Sequence, residues 1–127
     1  MRLLLDTHVF LWAVSGSRRL TPKIRAVING ADQVLVSAAS IWEIAIKVRL
    51  GKLEADPAAM VEAIDESGFK ELPVRAAHAA HVANLPLHHT DPFDRLLVAQ
   101  AVMEPLRLLT ADGTLAVYSE LIVVCNR

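Results

Sequence analysis

Five short apolar runs, "RLLL", "QVLVS", "FKELPV", "LRLLT" and "LIVVC", are separated by stretches that carry helix start and stop signals. This alternation is the strongest constraint on the fold. Strands joined through helices pair in parallel, and the helices cover both faces of the sheet. The crossovers are then right-handed. "HVFLWAV" reads as a short first helix. "TPKIRAVING" has Thr21 as N-cap, Pro22 at the first helical position and Gly30 as a stop. "ASIWEIAIKVRLG" ends at Gly51, and "DPAAMVEAIDESG" opens on Asp56 and Pro57 and closes at Gly68. "RAAHAAHVANL" is cut off by Pro86, and "DPFDRLLVAQAVME" is stopped by Pro105. "FKELPV" is the weakest of the strands. The expectation is a single α/β domain over residues 1–127 with a central parallel sheet.

Composition agrees. Hydrophobic residues make up 54% of the chain while aromatics make up only 5%, so Leu, Val, Ile and Ala fill the core. That suits buried parallel strands, and it also fits an apolar face covered by a partner. No window reaches the roughly 18 uncharged apolar residues that span a bilayer. Asp6 and His8 interrupt the apolar start, which makes a poor signal peptide. The lone cysteine, Cys125, ends "LIVVC" and reads as a small core residue. A cytoplasmic protein is expected. The net charge of −1 supplies no global field for nucleic acid. Such a role needs a local basic patch or a dimer that pools charge. Arg18, Arg19, Lys23 and Arg25 could supply one, as could Lys47, Arg49 and Lys52; each also reads as solvated surface.

In open α/β sheets, ligands bind beyond the carboxyl ends of the strands. Asp6 follows the first strand, Ser37 the second, and Thr110 and Asp112 the fourth. Glu43 stands alone in an apolar helix, where an unpaired carboxylate is costly. Ser40-x-x-Glu43 also has the form of a capping box. Asp91 before Pro92 makes a good N-cap, and Asp94 falls at the third helical position, where acids favour the dipole. Asp112 before Gly113 also fits an ordinary turn. Each acid therefore has a structural explanation. Together, Asp6, Glu43, Asp94 and Asp112 map to one edge, and such a cluster needs protons or cations. Hard oxygen ligands suit Mg²⁺ or Mn²⁺. His78 and His81 lie three apart on a helix, but nothing nearby completes a zinc site. His88 and His89 read as loop residues within reach of the cleft, and His8 as a helix-start residue.

"LLLDTHVFLW", "VSAASIWEIAIKVRLGKL", "GFKELPV", "DPFDRLLVAQA" and "LLTADG", in that order over nearly the whole chain, resemble PIN-domain proteins of the VapC toxin type. The resemblance implies a three-layer α/β/α fold of about five parallel strands. It implies a metal-dependent endoribonuclease, the toxin of a toxin–antitoxin pair, leaving 5′-phosphate and 3′-hydroxyl ends. The family's acidic quartet falls on Asp6, Glu43, Asp94 and Asp112, all read as catalytic and metal-binding. Asp6 and Asp94 would be direct ligands of Mg²⁺ or Mn²⁺. Glu43 would bind metal or position water, and Asp112 would complete a second metal site or act through water. Thr110 and Ser37 would orient ligands from behind, and Asp91 would be an additional acid or the cap. Arg95 would face phosphate or pair with an acid such as Asp91. A homodimer and a small VapB-like antitoxin lying across the cleft are the implied partners.

Rival readings use the same residues differently. A structure-specific DNA nuclease would need the same acids. A PIN-like domain that binds RNA or a partner without cutting would not need all four. A haloacid-dehalogenase-like enzyme would place a second aspartate where His8 stands. A receiver-like module would show an acidic pair near the first strand and a lysine near the fifth, and neither is visible.

Overall fold

The computed structural model describes residues 1–88 and 90–125. His89 therefore lies outside the described residues. The five strands are β1 (Arg2–Leu5), β2 (Gln33–Ser37), β3 (Lys70–Leu72), β4 (Arg107–Thr110) and β5 (Ile122–Val124). They form one sheet in the order β3-β2-β1-β4-β5, with every pairing parallel. All five apolar runs thus become strands, the third, fourth and fifth shorter than their sequence patterns.

The helices are α1 (Thr7–Ser15), α2 (Pro22–Asn29), α3 (Ala38–Arg49), α4 (Pro57–Glu66), α5 (Ala76–His81) and α6 (Pro92–Met103). Thr21, Asp56 and Asp91 cap α2, α4 and α6 through their side chains, each followed by proline at the start of the helix. A 3₁₀ turn over Val82–Asn84 extends α5, and a second over Gly113–Tyr118 connects β4 to β5. The second has no periodic signature in the sequence. Asp112 starts it by accepting from the Thr114 amide at 2.9 Å.

Alternate residues of β1 serve opposite layers, as the period of two in a strand requires. Leu3 and Leu5 pack with Phe10 of α1, Ile24 of α2, Ile44 of α3 and Ile64 of α4. Leu4 packs on the other face with Leu97, Val98 and Ala101 of α6. The result is a three-layer α/β/α sandwich. Among the described residues no helix is long and apolar enough to cross a membrane.

His78 closes the α6 side. It is 2% exposed. Its Nδ1 accepts from the Arg75 amide at 3.0 Å, so Nε2 carries the proton and donates to Glu104 at 2.6 Å. The pair ties α5 to the end of α6, and His78 is a core residue. Glu104→Ala would strand a buried ring N–H at a cost of about 1–3 kcal/mol. Urea denaturation should show a lower midpoint with an unchanged slope. An unaltered midpoint would mean that the contact adds nothing to stability.

Candidate active site

The chain builds β1, β2 and β3 outward in one direction, then returns through α5 and α6 to place β4 on the other side of β1. Strand order therefore reverses between β1 and β4. At such a point the connections leave in opposite directions and open a crevice beyond the carboxyl ends. Register pairs Leu5 with Leu109 across this switch point, so Asp6 and Thr110 emerge side by side.

Asp6 does two things there. One carboxylate oxygen accepts from the Val9 amide at 2.8 Å and caps α1. The other accepts from the Thr110 hydroxyl at 2.5 Å. Thr110 Oγ1 in turn accepts from the Asp112 amide at 3.0 Å. One buried hydroxyl thus joins Asp6 to the turn that carries Asp112. Asp6 is only 5% exposed, and burial pushes its carboxyl above the ordinary carboxylate range despite these hydrogen bonds. Among the described residues no basic side chain forms an ion pair with it, and the weaker pull of the His8 charge does not offset burial. Cys125 lies beneath this edge, and its thiol is pushed up to about 11, first by burial and then by the charge of Asp6. It stays protonated at neutral pH and is not a nucleophile.

Glu43 belongs to a second group. Its Oε1 accepts from the Thr7 hydroxyl at 2.6 Å, and its Oε2 meets Lys47 Nζ at 2.9 Å. The Thr7 hydroxyl also lies 3.0 Å from Ser40 Oγ. The anticipated Ser40–Glu43 capping box does not form. The helix starts three residues earlier, with Ser37 accepting from the Ala39 amide at 3.1 Å as the cap. Ser40 and Glu43 then fall inside the helix on its buried face. Ser37 lies at the sheet edge, with its hydroxyl engaged in that cap.

Asp94 is half-buried in the first turn of α6, and its amide donates to Asp91 Oδ1 at 3.0 Å. Asp91 also accepts from the Phe93 amide, so it is the cap the sequence predicts. The Trp42 and Phe93 rings meet edge to face at 5.1 Å. They hold α3 against α6 at the residues that directly precede Glu43 and Asp94. Asp6, Thr110 and Asp112 are thus joined by hydrogen bonds, and Glu43 is joined to Thr7, the next residue after Asp6. Among the described residues, no three Asp, Glu, His or Cys side chains form a ready cage for an ion.

Arg95 makes contacts that its position in the sequence does not announce. Its guanidinium donates to the carbonyls of Pro86, Val82 and Leu85 and to Tyr118 Oη, at 2.9–3.3 Å. A planar fork with several donors suits that cluster of acceptors. These contacts brace the segment leading into α6 and give the guanidinium a structural task. The sequence reading also passed over Thr7 and Tyr118. A threonine directly after the strand-end acid was the available signal for the first; Tyr118 had none, because its partners come from elsewhere in the chain.

A family model described as "PIN domain" matches residues 3–127. No curated protein matches the chain significantly by sequence. Among solved structures, a VapBC2 complex from Rickettsia felis bound to a promoter DNA fragment aligns with a TM-score of 0.72 at 13% identity, covering 99% of this chain and 100% of the other. A toxin–antitoxin complex from Klebsiella pneumoniae aligns at 0.69 and 18% identity, covering 96% of each chain. FitAcB from Neisseria gonorrhoeae aligns at 0.65 and 18% identity, covering 98% of this chain and 96% of that one. At these identities the likeness is one of fold.

Proposed function

The chain belongs to the PIN-domain family, and we propose that within it the protein is a metal-dependent endoribonuclease, the toxin of a toxin–antitoxin pair. The observation that carries this reading is Asp6: a buried carboxylate at the topological switch point, with no basic side chain among the described residues in ion-pair contact. A buried charge of that kind calls for a cation or a proton.

The donor set fits Mg²⁺ or Mn²⁺. Asp6, Glu43, Asp94 and Asp112 offer only carboxylate oxygens, the ligands a hard cation prefers. A ready cage is not required, because Mg²⁺ keeps several waters and binds through one or two carboxylates plus substrate phosphate. When bound, the ion would lower the pKa of a water and stabilise charge on the phosphate oxygens. Asp6 would anchor it, and Thr110, by donating to Asp6, would fix the direction of the free lone pairs. Asp94 would join from the first turn of α6. Thr7 and Lys47 would hold Glu43 oriented for metal or water. Asp112, held by the Thr110 hydroxyl and by Thr114, would approach from the β4 side. Asp91, besides capping α6, would act through water, and Ser37 would support the edge from β2.

A small antitoxin is the proposed protein partner, in line with the toxin–antitoxin complexes that share the fold. An apolar hollow of about 410 Å³ lined by Leu11, Trp12, Leu53 and Met60 would offer such a partner a seat. Trp42 and Leu50, each 61% exposed, leave further apolar surface for a second copy of the chain. Elution as a monomer at micromolar concentration would count against the homodimer.

Purified protein incubated with RNA should cut it in Mg²⁺ or Mn²⁺ and not in EDTA, and Asp94→Asn should lose the activity. A DNA substrate competing better than RNA would redirect the reading to a DNA nuclease. Equal behaviour of wild type and variant would remove metal chemistry from Asp94.

A further inference from the structure

The net charge of −1 leaves open how such a chain would hold a polyanion. Two of the lysines singled out in the sequence meet in one place. A hollow of about 260 Å³ is lined by Thr7, His8, Leu11, Lys47, Lys52 and Leu53. Its construction is local. α3 ends at Arg49 with Leu50 as its cap, and Gly51 adopts φ 72°, a left-handed conformation that glycine takes without strain. The chain then turns back, and the Lys52 amide donates to the Lys47 carbonyl at 2.9 Å. That return brings an exposed lysine alongside Lys47. Across the hollow, α1 contributes Thr7 and the exposed His8, immediately after Asp6.

We propose that this hollow seats a backbone phosphate of the RNA, neighbouring the one that would be cleaved; the inference rests on the nuclease reading above. The lysine end of the hollow suits an anion; Leu11 and Leu53 form its apolar wall and continue into the larger apolar hollow beside it. Lys47 uses one contact on Glu43 Oε2 and keeps further N–H donors, since an ammonium has three. Lys52 adds a second positive charge and His8 a third nitrogen donor. The hollow is also contiguous with the acids, because Thr7 both lines it and donates to Glu43. A strand with regularly repeated phosphates can therefore place one at the Asp6 edge and another at the lysines. The basic pair offsets the repulsion that a carboxylate cluster would otherwise exert on RNA. An acidic peptide offers similar charge, but the neighbouring carboxylates would repel its continuation, whereas a substrate phosphate would meet them through the metal.

Lys52 is the residue to test, because it is exposed and not engaged with Glu43. Binding of a fluorescein-labelled single-stranded RNA would be followed by anisotropy in EDTA, where no cutting is expected, over a series of salt concentrations. Lys52→Ala should weaken binding roughly fivefold at low salt and reduce the slope of log K against log salt by about 0.7, the share of one phosphate contact on a single strand. Lys52→Arg should restore both, and Arg18→Ala should change neither. Wild-type affinity and slope in Lys52→Ala would overturn the proposal while leaving the nuclease reading intact. No RNA binding by the wild type at any salt would overturn the proposal, while the cleavage assay in Mg²⁺ or Mn²⁺ decides the nuclease reading separately. A Lys52→Ala variant that keeps its RNA slope but no longer binds a polyglutamate peptide would make the hollow a peptide site and overturn the proposal.

Discussion

Asp6→Asn is expected to reduce RNA cleavage by at least about a thousandfold, while the metal-free variant melts at a higher temperature than the wild type near neutral pH. The first effect follows if Asp6 anchors the ion. Losing several kcal/mol of transition-state stabilisation from a metal removes a factor of ten for each ~1.4 kcal/mol. The second follows from burial. The folded-state pKa of Asp6 is raised above its ordinary value of 3.8, chiefly by desolvation. A group shifted that way contributes its stability below the unfolded pKa and loses it as pH rises through the folded one. The apo wild type should therefore weaken as pH rises through the folded pKa, and asparagine should flatten that fall. The substitution keeps an oxygen to accept from the Val9 amide, and Thr110 can accept from the new amide, so the α1 cap survives. Adding Mn²⁺ should raise the melting temperature of the wild type and barely move the variant. Thermal melts in EDTA and in Mn²⁺ across pH check both halves. A variant that cuts normally, or that melts below the wild type in EDTA, would argue that Asp6 is only a helix cap.

Arg95→Ala should cost about 2–3 kcal/mol of stability, because charged-group hydrogen bonds to three carbonyls and the Tyr118 hydroxyl are lost together. Tyr118 Oη also accepts from the His88 amide at 3.1 Å, so the 3₁₀ turn after β4 and the segment before α6 should loosen as one unit. Hydrogen exchange of the amides over residues 82–88 should accelerate, and cleavage should fall because Asp91 and Asp94 follow directly. Lysine at this position cannot reach several acceptors at once and should recover only part of the loss. The alternative role for Arg95, a phosphate contact, gives a different pattern. Stability and exchange would be unchanged while RNA affinity and its salt dependence fell. Denaturation and exchange measured on the same variant separate the two.

The acids show how far a linear reading can go. Asp91 and Asp112 are caps, as turn and helix chemistry predicts. A parallel sheet also puts the ends of its strands and the starts of neighbouring helices on one edge, so a capping position and a proposed site position can coincide. Structural and chemical readings of those aspartates were never exclusive. Glu43 misled in detail: Ser40-x-x-Glu43 has the right spacing for a capping box, yet Ser37 takes the cap and the whole motif slides into the helix. A capping box is a local pattern, and which of two nearby serines starts the helix depends on where β2 stops pairing with β1 and β3.

What the sequence determined by itself is what depends on short-range physics. Alternating apolar strands and capped helices required a parallel, doubly covered sheet, and that topology alone placed Asp6 and Thr110 at a common edge despite the length of chain between them. What only the tertiary structure decided is which side chains share a proton or a charge there. Thr110 with Asp6, Thr7 with Glu43, Arg95 with the carbonyls before α6, and Lys47 with Lys52 around one hollow all depend on contacts between elements or on a turn's return path. Hydrogen bonds and ion pairs act over a few ångströms and in set directions, whereas hydrophobic patterning is non-directional and survives small shifts of register. The fold is therefore legible from the pattern of apolar residues, and the wiring of its site is not.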